Sequence, residues 1–234
     1  MNLAFFDVDY TLYQGFTVVQ FFKAFAEKNH RDDLMAERQE LELALRAGRI
    51  DQQRLVEWSM GLSARAVEGF SLESVTQQIK HTIDTEGVFF PWVEPLLEYL
   101  KNKKFRIYLI SASIEPMIAE IANRLGIEHY FATVLEQSNG IYTGKVLTVR
   151  NGNSKLDSLN KVISGISEDN DVIAFGDSDG DVAMLSAADQ GFVVDPVEYS
   201  DKILAAAAQN GWPILKHETA FEQVKQQLSK KFGL

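Results

Sequence analysis

Two acidic clusters, one serine and one lysine carry the chemistry that this sequence can offer. Phe5-Phe6-Asp7-Val8-Asp9-Tyr10-Thr11-Leu12 sets two carboxylates one residue apart, directly after an apolar run. In a strand continuation Asp7 and Asp9 point the same way, as residues two apart do. Carboxylates that close repel unless a cation or a shared proton compensates them. A hard divalent ion bound through oxygen, Mg²⁺ above all, is the simplest compensation; the alternative is a polar turn with Asp at helix-capping positions. A second apolar run ends in Phe175-Gly176-Asp177-Ser178-Asp179-Gly180-Asp181, three acids within five residues. Surface solvation explains that group poorly, because clustered carboxylates repel without a cation. Between the two clusters lie Ser111, in Leu109-Ile110-Ser111-Ala112-Ser113, and Lys155, after Asn151-Gly152-Asn153-Ser154. A hydroxyl beside the exposed amides of a helix start is an anion site or a simple N-cap. A lysine opening a helix is a local cation for that anion or a solvated side chain.

These residues need strands to carry them. Leu3 to Phe6 is too short for a helix and contains neither Pro nor Gly, so it reads as a central parallel strand. In such a sheet ligands bind beyond the carboxyl ends, where Asp7 and Asp9 lie. From about residue 14 to 88 the apolar spacing is helical throughout. A first helix carries Val18, Phe21, Phe22 and Phe25 with Thr17 as its cap; a second carries Leu34, Leu41 and Leu45 and ends near Gly48; a third carries Leu55 and Met60. The fourth, capped by Ser71, carries Leu72, Val75, Ile79 and Ile83. We therefore expect an all-helical cap over 14–88, inserted into a core made of 1–13 and 89–234.

After the exit at Gly87 to Pro91 the pattern alternates. Strands are expected at 105–110, 130–135, 172–175 and 192–194, with an edge strand at 212–215. Helices are expected at 94–101, 114–125, 155–163, 181–187, 200–209 and 220–230, and a hairpin around Asn139-Gly140. Such alternation predicts an α/β fold, a Rossmann-like parallel sheet with helices on both faces.

Composition narrows the partners. A net charge of −10 argues against nucleic acid and anionic membranes, and an anionic substrate then needs a local cation. There is no cysteine, so disulfides and thiolate chemistry are excluded. No run approaches the roughly 18 apolar residues that span a membrane, and the start Met1-Asn2-Leu3 has no signal-peptide pattern. The expectation is a cytoplasmic protein.

Asp7-x-Asp9-x-Thr11, Ser111, Lys155 and Gly176-Asp177-x-x-Gly180-Asp181, in that order, resemble the four motifs of the haloacid dehalogenase-like (HAD) phosphohydrolase superfamily. Ser111-Ala112-Ser113, Leu125-Gly126-Ile127, Tyr142-Thr143-Gly144 and the helical insertion resemble its phosphoserine-phosphatase-like branch. The resemblance implies that Asp7 is a nucleophile forming an aspartyl-phosphate. It makes Asp9 the acid that protonates the leaving group and then the base that activates water. It assigns Mg²⁺ to Asp7, the Asp9 backbone carbonyl and Asp177. Ser111 and the Ala112 amide would bind phosphate oxygens, with Lys155 offsetting the charge on Asp7 and the phosphoryl group. Asp181 would orient Lys155 or a metal-bound water, and Thr11 would brace the turn.

The implied reaction is hydrolysis of a small-metabolite phosphate. A phosphomutase or phosphotransferase, or a phospho-ligand binding protein that kept the fold, is the alternative. In phosphoserine phosphatases an acidic residue stands nine positions after the nucleophile; here that residue is Phe16. Tyr13 and Phe16 are candidates for an apolar pocket wall, with Phe21 and Phe22 weighted toward the core. The expected partner is a small phosphorylated metabolite, and the sequence leaves monomer and homodimer open.

Overall fold

In chain order the elements are strand β1 (Leu3–Phe6), helices α1 (Thr17–Lys28), α2 (Asp32–Arg46), α3 (Gln52–Ala66), α4 (Leu72–Glu86) and α5 (Val93–Asn102), then β2 (Arg106–Ile114), α6 (Glu115–Arg124), β3 (His129–Ser138), β4 (Ile141–Thr148), α7 (Gly152–Ile163), β5 (Val172–Gly176), a 3₁₀ turn (Asp179–Asp181), α8 (Val182–Ser186), β6 (Gln190–Val194), α9 (Asp201–Asn210), β7 (Ile214–Leu215) and α10 (Ala220–Phe232). The computed structural model describes residues 2–165, 170–196 and 201–234. One sheet of seven strands runs in the order β4-β3-β2-β1-β5-β6-β7. All pairings are parallel except β3 with β4. The fold is α/β and Rossmann-like, with a helical insertion of α1–α4 after β1.

All of β1 is buried, as a strand covered on both faces requires. Its alternate residues enter two cores. Ala4 and Phe6 join Leu109, Ile173, Phe175 and Phe192 beneath residues of α5, α6 and α10, a cluster that continues into α1 and α4. Leu3 and Phe5 join Tyr108, Ile110, Leu159, Met184 and Ile203 under α7–α9. Phe6, Phe175 and Phe192 stack across β1, β5 and β6 at 4.3 and 4.6 Å between ring centroids. At about 1.5–3 kcal/mol per buried large side chain, this layer holds in register the strand ends that carry Asp7 and Asp177.

The insertion is tied down at both ends. Gln14 N–H donates to the Val88 carbonyl, and Phe90 N–H to that of Leu12. Farther out, Leu72 N–H donates to the Gly140 carbonyl and Tyr142 N–H to that of Phe70. These bonds join the α3–α4 loop to the β3–β4 hairpin, whose Asn139 and Gly140 both take positive φ, the geometry of a type I′ turn.

Several local expectations are corrected. Thr17 does not cap α1: the cap position is Phe16, which makes no side-chain cap bond. Strand β2 runs on to Ile114, so helix α6 starts at Glu115 and Ser111 lies in extended backbone, not beside a helix start. A shift in the β2–β3 register between Ile110 and Ile114 explains this, since irregular pairing lets the strand carry side chains past the regular ladder. Lys155 lies within α7, which begins at Gly152. The helix expected from Asp181 is a 3₁₀ turn followed by the short α8. Ser200, the expected first residue of the penultimate helix, lies outside the described residues.

Candidate active site

Strand register brings the first two carboxylates together. Phe6 pairs with Phe175, and Asp7 N–H donates to the Phe175 carbonyl at 3.0 Å, so Asp7 and Asp177 leave adjacent strands side by side. Helix α7 contributes the third charge. Its start is held by a capping box between Asn151 and Ser154, one turn before Lys155. Lys155 Nζ donates to Asp7 Oδ1 at 2.7 Å and to Asp181 Oδ1 at 2.6 Å. Asp7, Lys155, Asp177 and Asp181 are all buried.

Two glycines allow this convergence. A Cβ on Gly176 would lie 2.5 Å from the Asp181 Cβ, and one on Gly152 would lie 3.0 Å from the Gly180 carbonyl oxygen. Any side chain there would push α7 and the acidic turn away from β5 and separate Lys155 from Asp181. The second Asp181 oxygen accepts from the amides of Asp177 and Ser178 and from the Ser178 hydroxyl. Asp181 is therefore fully committed to holding Lys155 and its own turn. Asp177 has a weaker partner, the Thr11 hydroxyl at 3.4 Å.

Charge is unbalanced here. Oxygens of Asp7, Asp177 and Asp181 lie within 4.8 Å of one another, and the Lys155 ammonium bonds two of them, Asp7 and Asp181. Burial pushes Asp7 up to about 7, opposed by Lys155 and reinforced by Asp181 and Asp9. Burial, then Asp181 and Asp7, push Asp177 well above the usual carboxylate range. Burial by itself would pull Lys155 down, but Asp181 and Asp7 hold it higher than an ordinary lysine. An all-oxygen donor set with excess negative charge fits a hard divalent cation. Because Asp181 is committed, Asp7 and Asp177 are the carboxylates able to hold it.

Asp9 turns away from this cluster. Its Oδ1 accepts from Thr17 N–H at 2.9 Å, which supplies the cap that Phe16 lacks at α1. Burial pushes the Asp9 carboxyl up to about 6, against the lowering effect of the Thr17 hydrogen bond. Thr17 Oγ1 in turn donates to Ser113 Oγ at 2.8 Å, so one residue links the insertion to both Asp9 and the end of β2. Ser111 Oγ accepts from Ser113 N–H. The Ala112 carbonyl accepts from the Thr133 hydroxyl, which also accepts from Arg150 N–H.

Sequence reasoning did not foresee the contacts of Thr17, Ser113, Thr133 and Ser178. Each is a small hydroxyl residue whose partner lies elsewhere in the chain or in a turn whose shape the sequence did not reveal. Tyr13 is corrected. It has no exposed surface and donates to Gln20 Oε1 at 2.6 Å, so it is core and not a pocket wall. Phe21 and Phe22 are core as well, whereas Phe16 is exposed.

The family model for haloacid dehalogenase-like hydrolases matches residues 4–186. The phosphoserine phosphatase SerB1 of Mycobacterium tuberculosis (strain ATCC 25618 / H37Rv) is 26% identical over 229 residues, covering 90% of this chain and 69% of that protein. A Bordetella pertussis Tohama I protein of unknown function has the same fold, with a TM-score of 0.76 at 22% identity over 92% of this chain and 98% of that one. A phosphoserine phosphatase solved as a phospho-aspartyl intermediate analogue aligns with a TM-score of 0.66 at 20% identity, over 97% of this chain and 98% of that one. With the two acid-bearing strand ends and the lysine between them, the family match assigns the chain: it belongs to the haloacid dehalogenase-like hydrolase family.

Proposed function

We propose that this protein is a Mg²⁺-dependent phosphomonoesterase that hydrolyses a small-metabolite phosphate through an aspartyl-phosphate on Asp7. The observation that carries this reading is the Lys155 ammonium bonded to both Asp7 and Asp181 beside the less committed Asp177.

In this reading an Asp7 carboxylate oxygen attacks phosphorus, the ester P–O bond breaks, and the departing oxygen takes the proton from Asp9. Water then attacks the phosphorus of the aspartyl-phosphate and gives its proton to the Asp9 carboxylate. The bond between Asp7 oxygen and phosphorus breaks, inorganic phosphate leaves and the protein is restored. A raised Asp9 carboxyl suits this alternation, because it keeps its proton at a pH where an ordinary aspartate has lost it. Lys155 orients Asp7 and opposes charge on the phosphoryl group. Ser111 and the Ala112 amide hold phosphate oxygens, while Thr11 and Asp181 keep Asp177 and Lys155 in place. Asp7 and Asp177, with the Asp9 backbone carbonyl, would hold the Mg²⁺, which when bound neutralises charge between nucleophile and phosphate. Residues 14–88 serve as a cap that excludes water from the site.

The test is hydrolysis of p-nitrophenyl phosphate with and without Mg²⁺. Metal-dependent phosphate release that disappears in Asp7→Asn is the expected result. No turnover by the folded, Mg²⁺-loaded protein would overturn the reading.

A further inference from the structure

Next to Asp9 the protein exposes an aromatic surface that its fold does not need. Among the described residues Phe16 is the one exposed phenylalanine, at 40% of its surface. Its ring stands edge-on to Tyr10, 4.8 Å between centroids at 85°. Helix starts favour Ser, Thr, Asp or Asn, and Phe16 occupies that position on α1 without making a cap bond. Tyr10 takes a positive φ of 54°, which a tyrosine adopts rarely. It is held there by Tyr10 N–H donating to the Tyr13 carbonyl at 2.8 Å. Two departures from local preference side by side mark a position shaped by something other than stability.

Position says what that is. The peptide joining Phe16 to Thr17 donates its N–H to Asp9 Oδ1, and Tyr10 follows Asp9 directly in the chain. Both residues are therefore joined through the backbone to the Asp9 carboxyl that, on the reading above, must reach the leaving oxygen, and their rings touch each other. Burial and the charges of Asp9 and Asp177 push the Tyr10 hydroxyl up, in keeping with a ring close to both acids. With Tyr13 withdrawn into the core, Tyr10 and Phe16 remain as the aromatic surface beside Asp9.

We propose that Tyr10 and Phe16 form the wall against which the leaving group packs, and that the substrate is a phosphate monoester of an apolar or ring-bearing alcohol. An exposed Phe edge offers dispersion and edge-to-face contacts, and it carries no carboxylate to pair with an ammonium group. The inference rests on the phosphomonoesterase reading, and the experiment separates the two.

With Mg²⁺ present, kcat/KM is compared for 2-phenylethyl phosphate, ethyl phosphate and O-phosphoserine, with p-nitrophenyl phosphate as the general reporter. We expect 2-phenylethyl phosphate to exceed both other alkyl esters by about tenfold or more. Phe16→Ala should bring its ratio to ethyl phosphate toward unity, and Phe16→Tyr should restore it. Tyr10→Asn, whose side chain tolerates the left-handed backbone, should also lower the ratio, and a thermal melt of each variant checks folding. A ratio near unity in the native protein, or one that neither Phe16→Ala nor Tyr10→Asn moves, would overturn the wall while turnover of p-nitrophenyl phosphate left the phosphatase reading standing. No hydrolysis of any ester would overturn both.

Discussion

Thr17 N–H donates to Asp9 Oδ1 at 2.9 Å, so the carboxylate two residues after Asp7 is also the cap of the first helix of the insertion. The group assigned to proton transfer thereby fixes the entry of the chain into α1. Two substitutions separate these jobs. Asp9→Asn keeps an oxygen for the Thr17 amide and should fold normally, while Asp9→Ala should cost about 1 kcal/mol in urea unfolding. Both should lose about 10²–10⁴-fold in kcat toward an alkyl phosphate. The loss should be smaller toward p-nitrophenyl phosphate, whose leaving group needs little protonation.

Asp177 shares its surroundings with two other buried carboxylates and receives a single long bond from Thr11. In the metal-free protein Asp177→Asn relieves repulsion, so stability in EDTA should rise by about 0.5–2 kcal/mol. The same variant should lose the upward shift in melting temperature that Mg²⁺ confers on the native protein. A melt series with and without Mg²⁺ reads both effects at once.

Thr133 is fully buried and its hydroxyl spans two segments, donating to the Ala112 carbonyl at 2.7 Å and accepting from Arg150 N–H at 3.0 Å. It ties the end of β2 to the entrance of α7. Thr133→Val leaves both backbone groups without that partner and should cost about 1–3 kcal/mol by urea denaturation. Because the backbone proposed to bind phosphate and the start of the helix that carries Lys155 both hang on this tie, kcat/KM should fall while Thr133→Ser retains most of it.

His217 stacks on Phe90 at 3.6 Å and its Nδ1 accepts from Trp92 Nε1 at 3.2 Å. Burial lowers its pKa below 6.5, helped by Lys216 and opposed by Asp195 and Glu218. A base held below its unfolded value favours folding while neutral. The contribution is present above pH 6.5 and is lost as pH falls from there toward the folded value. Urea unfolding at pH 7.5 and pH 5.5 should show a steeper loss for the native protein than for His217→Phe, which keeps the stack and cannot titrate.

From the sequence alone came the alternation of strands and helices, the helical insertion and the positions of Asp7 and Asp177 at strand ends. Those features follow from local causes: apolar runs bounded by polar turns, and helical spacing that shows which face is buried. Ser71 capping α4 and the Asn139-Gly140 turn were equally legible, because each acts through its own neighbours. Only the tertiary structure decided that Lys155 bridges Asp7 and Asp181, that Asp9 caps α1, that Tyr13 is core and that Phe16 is exposed. Lys155 and Asp7 are 148 residues apart, and their meeting depends on the register of β1 with β5 and on the two glycines that let α7 approach the acidic turn. Strand extension past Ser111 was hidden for the same reason. It arises from pairing with β3, and pairing between distant segments leaves no periodic trace in either of them.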